Sequence, residues 1–186
     1  MWLLVAGLIV FFGVHLVPTN AKLRTRLVAW KGENLYQLGF SLMAAAGLLL
    51  AGFGKSMAPI IIVYAPPAWT AHISWFLMWL AVTIFPAAYL PSNLKRVMRH
   101  PFLWGVALWA VAHLMTNGDL ASILLFGSFA VYAIFDMGSA NRRGAEVSRT
   151  RLPIWRDGVL VAVGLLAYLT LINLHPILFG VGVNPG

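Results

Sequence analysis

Residues 101–138 read PFLWGVALWAVAHLMTNGDLASILLFGSFAVYAIFDMG. Only Asp119 and Asp136 carry a formal charge in this stretch, and Asp119 falls in the turn Asn117-Gly118-Asp119. The apolar segments on either side, 101–117 and 119–138, approach the length of about 20 residues that crosses a hydrocarbon core, with a range of about 17–25. Two such segments joined by so tight a turn make an antiparallel helical hairpin in a membrane.

Four further segments read the same way: 1–18, 35–54, 69–90 and 157–180. The expected fold is all-α, a polytopic transmembrane bundle of about six helices forming a single domain over 1–186. Composition agrees. The 186 residues are 61% hydrophobic and 10% charged, whereas a soluble domain carries roughly 25% charged residues. So few charges cannot cover a water-facing surface. The N-terminal run resembles a signal peptide in length but lacks a positive n-region, because charge begins at Lys22. It is read as a retained first helix. The apolar piece Met57 to Ala65, bracketed by Pro59, Pro66 and Pro67, is too short to span and reads as interfacial or re-entrant.

The net charge of +8 serves topology rather than nucleic acid. Lys22, Arg24, Arg26 and Lys31 follow the first span; Lys95, Arg96 and Arg99 follow the third; Arg142, Arg143, Arg149, Arg151 and Arg156 follow the fifth. Only Lys55 falls in another loop. Basic loops stay in the cytoplasm. This alternation places a bacterial-type inner (cytoplasmic) membrane protein with both termini outside. Gly47 and Ala51 form a small-residue pair for close helix packing, and Pro86 is expected to kink the third helix.

Cysteine is absent, which excludes disulfides, iron–sulfur clusters and Cys-ligated haem. A transition metal would need His, Met, Tyr or carboxylate ligands. Neither HExxH nor GxSxG occurs. Polar residues at membrane depth are candidates for function: His15, His72, His100, His113, His175, Glu33, Asp119, Asp136 and Asn173. Five histidines without a thiol suit haem b, whose iron takes neutral imidazole from helices. Asp119 reads as an N-cap. Asp136 is placed to pair with Arg142, Arg143 or Arg99. In Arg99-His100-Pro101-Phe102-Leu103-Trp104-Gly105, Pro101 starts a helix and Gly105 admits a neighbour or ligand. Arg99 and His100 stand where they can meet a phosphate or propionate, or simply cap the helix.

Several motifs together resemble the NnrU family: Phe12-Gly13-Val14-His15, Gly32-Glu33-Asn34-x-Tyr36, Arg99-His100-Pro101 with Gly105, Trp109, Ala112-His113-Leu114, Asn117-Gly118-Asp119, Leu125-Phe126-Gly127 and Arg142-Arg143. That family is linked to denitrification and is similar to 15-cis-ζ-carotene isomerase, a membrane haem b protein that isomerises a polyene without net redox change. The resemblance implies haem b with His15 and His113 as metal ligands, Arg99 and His100 beside the cofactor, and an apolar polyene-like substrate drawn from membrane lipid. The Arg-His-Pro block is also similar to that of isoprenylcysteine methyltransferases and sterol reductases, which implies a membrane transferase or reductase instead, although the acidic residues expected to hold S-adenosylmethionine are missing. A non-enzymatic accessory protein of nitric oxide metabolism is a third expectation. No half-helix or buried charge pair suggests a transporter. On the topology above, His15 and His113 differ in depth by ~10 Å at 1.5 Å per residue. His15 with His100, and His113 with His72 or His175, therefore stay open as depth-matched pairs.

Overall fold

A computed structural model describes residues 1–183. The last three residues of the expected 1–186 domain lie outside the described residues. Seven α-helices follow in order: α1 (Trp2–Leu16), α2 (Ala21–Lys31), α3 (Glu33–Ser56), α4 (Thr70–Ile84), α5 (Pro101–Leu114), α6 (Leu120–Arg142) and α7 (Trp155–Phe179). Short 3-10 turns occupy Phe85–Ala88 and Asn93–Arg96. The described residues form no strand, only an isolated bridge between Ile62 and Asp119.

Six of the helices correspond to the six expected spans. By length and composition four of them can cross a membrane alone: α3, α4 with its 3-10 extension, α6 and α7. The other two are shorter. At 14 residues, α5 is about 21 Å long, less than the ~30 Å hydrocarbon core. Likewise α1 passes the same test only together with α2, from which it is bent by 88°. The chain is an all-α, multi-pass membrane protein. Its outer faces are apolar, with Leu49 63%, Phe53 63% and Leu166 66% exposed. That arrangement suits lipid and not water.

Three expectations need correction. The basic stretch 22–31 was read as a loop, yet it forms α2. Asn20 caps it by accepting from the Leu23 N–H at 3.1 Å, and Gly32, at φ 80°, ends it and opens α3. A φ in that region suits glycine alone. Second, Pro86 does not kink a continuing helix. It sits in the first 3-10 turn, where α4 has already ended, because its ring cannot accommodate the preceding helical carbonyl. Third, α5 stops at Leu114 rather than 117, where the Asn117 side chain turns back onto the His113 carbonyl at 2.9 Å.

The chain divides into two compact units. The first comprises Met1–Tyr64 and Asp119–Ser128, the second Ala65–Gly118 and the residues from Phe129 onward. In the first, α1 and α3 pack antiparallel through small residues. A Cβ added to Gly7 would lie 2.3 Å from the Ala51 nitrogen, one on Gly47 2.6 Å from the Phe11 nitrogen, and one on Gly54 2.1 Å from the Leu4 nitrogen. Backbones touch along this seam, as the Gly47/Ala51 pair led one to expect. In the second unit α4 is central. Ser74 Oγ donates to the Ala112 carbonyl at 2.8 Å and Thr70 Oγ1 to the Met115 carbonyl at 2.7 Å, joining α4 to α5. On the other side the Tyr168 hydroxyl donates to the Trp75 carbonyl at 3.1 Å, and Gly164 lies against Thr83. The neighbour that Gly105 admits is the Phe85 ring.

Candidate functional site

Histidine chemistry depends on which ring nitrogen carries the proton. His15 ends α1, and its Nδ1 lies 2.7 Å from the Phe11 carbonyl one turn back. A carbonyl only accepts, so Nδ1 holds the proton and donates. The Nε2 of the neutral ring then bears the lone pair. The imidazole stacks on Phe11 with centroids 4.1 Å apart and meets Phe40 of α3 at 5.0 Å. One turn before Phe40 stands Tyr36, whose buried hydroxyl has no hydrogen-bond partner. Arg24 from α2 lies over the Tyr36 ring at 5.6 Å and pairs with Glu33 at 2.7 Å, and Gln37 donates to the same carboxylate. Glu33 is thereby accounted for by structure.

The second unit repeats the device. His113, at the end of α5, places Nδ1 2.8 Å from the Trp109 carbonyl. Its ring meets Trp109 at 5.1 Å, and Trp109 meets Phe129 edge-on at 5.4 Å. His175 does the same on α7, with Nδ1 2.8 Å from the Val181 carbonyl. The rings of His113 and His175 lie 6.5 Å apart with planes 27° from parallel. Thus His113 and His175 come together, while His72 is exposed and rests beside Trp75. Three of the five histidines place Nδ1 on a backbone carbonyl, the tautomer that metal-binding imidazoles also use.

At the other end of α5, Arg99 and His100 converge on a residue the sequence reading had not singled out. Asn141 Oδ1 lies 2.9 Å from His100 Nε2 and 3.3 Å from an Arg99 amino group. His100 precedes the helix without capping it through its side chain. Beside this pair lies a cavity of about 450 Å³, lined also by Lys95, Glu146 and Ser148. A cationic, hydrogen-bonding recess of this kind can receive a phosphate or carboxylate. Asp136 pairs with Arg143 at 3.4 Å, not with Arg142 or Arg99. Asn173 donates to the Leu169 carbonyl on an exposed face of α7.

Asp119 caps α6 as expected: its Oδ1 accepts the Ser122 N–H at 2.9 Å and its Oδ2 the Ser122 hydroxyl. Lys55, the lone cation outside the basic loops, lies 3.8 Å from Asp119 and donates to Ser122 Oγ at 2.7 Å. Burial would raise the Asp119 pKa, but the Ser122 hydroxyl and N–H and the Lys55 charge together hold it below its ordinary value. Nearby Tyr64 is raised, by burial first and by the Asp119 charge second. Among the described residues no three His, Asp or Glu side chains gather to hold a metal ion.

Helices with lipid-facing exteriors, imidazoles set in aromatic surroundings and a basic recess at one end define a polytopic membrane protein of helical-bundle type. The NnrU family model, described as NnrU protein, matches residues 3–183. The chain belongs to the NnrU family. No curated protein and no solved structure matches it.

Proposed function

We propose that this protein is a haem b-dependent membrane isomerase acting on a cis double bond of a polyene-like lipid. One observation carries the reading. His15 and His113, the two residues the resemblance assigns to iron, share the same local device: Nδ1–H donated to a carbonyl one turn back, ring set against aromatic side chains, Nε2 bearing the lone pair. The donor set suits haem, since a four-nitrogen macrocycle needs only one or two imidazoles and no thiolate. The orphaned Tyr36 hydroxyl beside the His15 surroundings is the kind of buried donor that a bound polar group satisfies.

When bound, haem supplies an iron centre that can loosen a polyene double bond as a Lewis acid or one-electron partner. The chain's own part is binding and exclusion. Each imidazole is held in one tautomer by its backbone partner, so no rotation is needed to present Nε2. Phe11 and Phe40 lie against His15, and Trp109 against His113, giving each half-buried ring an apolar side. Arg99 and His100, held by Asn141, offer positive charge and N–H donors to a carboxylate. The Lys and Arg residues of α2, which is bent by 88° from α1, suit the anionic cytoplasmic leaflet through their charge alone. This supports the inner membrane and both termini outside. The test is isomerisation of a cis-polyene by the purified protein under reducing and oxidising conditions. Conversion in the reduced state alone is expected, and none in either state contradicts the reading.

The cavity beside Arg99 and His100 favours a second reading, a membrane transferase or reductase that binds an anionic cofactor there. Thermal stabilisation by S-adenosylmethionine or a nicotinamide dinucleotide, lost in Arg99→Ala, would select it. A strain lacking the protein that keeps normal polyenes but handles nitric oxide poorly would instead favour an accessory role.

A further inference from the structure

One cavity has no histidine in its lining. It opens between α4 and α7 at their basic end and measures about 910 Å³. Trp79, Leu80 and Ile84 of α4 and Leu160 and Val161 of α7 form its apolar walls, and Arg96 and Arg149 stand among its lining residues. All belong to the second unit.

Three observations suggest what occupies it. First, the cations are uncommitted. Arg96 has no hydrogen-bond or ion-pair partner among the described residues, and Arg149 has only Glu146 at 3.9 Å, with both side chains largely exposed. A pair so long and so exposed neutralises little. The acid in the lining, Asp157, is engaged: its two oxygens accept the Asn93 N–H and side-chain amide, each at 2.7 Å. Second, Thr83 Oγ1 is buried without a partner, although Thr83 lines the cavity. A helical threonine normally donates to the carbonyl one turn back. Third, the apolar wall is continuous with the lipid-facing surface, Val97 being 81% and Val161 47% exposed.

We propose that this groove is a binding site for one anionic phospholipid, its phosphate held by Arg96 and Arg149 and an acyl chain laid along Trp79, Ile84, Leu160 and Val161. Charge at one end and apolar walls at the other match an amphiphile, and basic pockets between membrane helices favour anionic headgroups. A soluble phosphate compound would leave the apolar walls unused. The site is independent of the haem reading.

Tryptophan 79 reports occupancy. The full-length protein is placed in phosphatidylcholine vesicles containing acyl-brominated phosphatidylglycerol or, separately, acyl-brominated phosphatidylcholine at equal mole fraction. The Trp79 contribution is taken as the difference between wild type and Trp79→Phe. Brominated phosphatidylglycerol should quench it several-fold more strongly. The exposed pair Arg96→Gln with Arg149→Gln, confirmed folded by an unchanged thermal transition, should lower that preference about tenfold. Equal quenching by the two lipids in wild type overturns the proposal. So does full preference in the double variant, or relief of quenching by millimolar inorganic phosphate, which would assign the cations to a soluble anion.

Discussion

Lys55 Nζ stands 3.8 Å from Asp119 Oδ1, joining the end of α3 to the residue that caps α6. The contact settles the role of the one basic residue that broke the charge alternation. It also secures the short apolar piece between them, for the Leu120 N–H donates to the Ile61 carbonyl at 2.8 Å. The segment read as re-entrant is held at Ile61 and Ile62 by backbone pairing with the start of α6.

This cluster has a pH signature. The Asp119 pKa is lowered in the fold, so its contribution to stability is full above the ordinary carboxylate value of 3.8 and falls away as pH drops through the depressed one. Asp119→Ala removes the cap, which costs about 1 kcal/mol, and the partly exposed ion pair adds no more than ~1 kcal/mol. Hydrogen exchange at the Leu120 amide should quicken in this variant at neutral pH. Wild type should show the same quickening only below the ordinary carboxylate range. Unchanged exchange in the variant would contradict the role assigned to Asp119.

The α1–α3 seam makes opposite predictions for glycines on one helix. Gly54→Ala drives a methyl into the Leu4 backbone. Overpacking costs typically 1–3 kcal/mol, and about the upper end is expected here because backbone cannot move aside as a side chain can. Gly52, also on α3, has nothing within 4 Å of an added Cβ. Gly52→Ala should stabilise by roughly 0.5–1 kcal/mol through helix propensity. Thermal unfolding in detergent separates the two, and equal shifts in the same direction would refute the packing.

Asn93 joins the 3-10 turn to α7 and to the strap before it. Its backbone N–H and side-chain amide donate to Asp157, the amide also reaches the Leu152 carbonyl at 2.9 Å, and Oδ1 accepts the Leu152 N–H at 2.9 Å. Asn93→Ala breaks three of these bonds and leaves part-buried groups unmatched. At about 1 kcal/mol for each bond and more for the charged partner, a loss of roughly 3 kcal/mol is expected. Asn93→Asp should do worse than Asn93→Gln, since it brings a second carboxylate against Asp157.

What the sequence disclosed and withheld follows from the physics of each signal. Apolar length marks a membrane helix whatever it packs against, so six apolar helices were legible from 1–18 to 157–180, although four of them, or five with the bent α1–α2 pair, have the length and composition to cross. The cap at Asp119 was legible because capping is local. The helix α2 was missed because Ala21–Lys31 has no apolar face to give it away, although Asn20 before it and Gly32 after it are ordinary start and stop signals. Asn141 was missed because a polar residue at a helix end is unremarkable until Arg99 and His100, some forty positions earlier, are seen to meet it. The approach of His175 to His113 joins two distant helices and leaves no spacing to read. Asp136 had three possible partners by sequence, and only the fold selects Arg143.

Ligation of haem iron by His15 and His113, as proposed, is tested by the optical spectrum of the protein expressed with ample haem. Oxidised and reduced spectra of wild type should be compared with His15→Ala, His113→Ala and His175→Ala. Wild type should show a Soret band that shifts or is lost in the first two variants and persists in the third. A wild-type protein without a Soret band, or one whose band is unmoved by His15→Ala and His113→Ala, would contradict it.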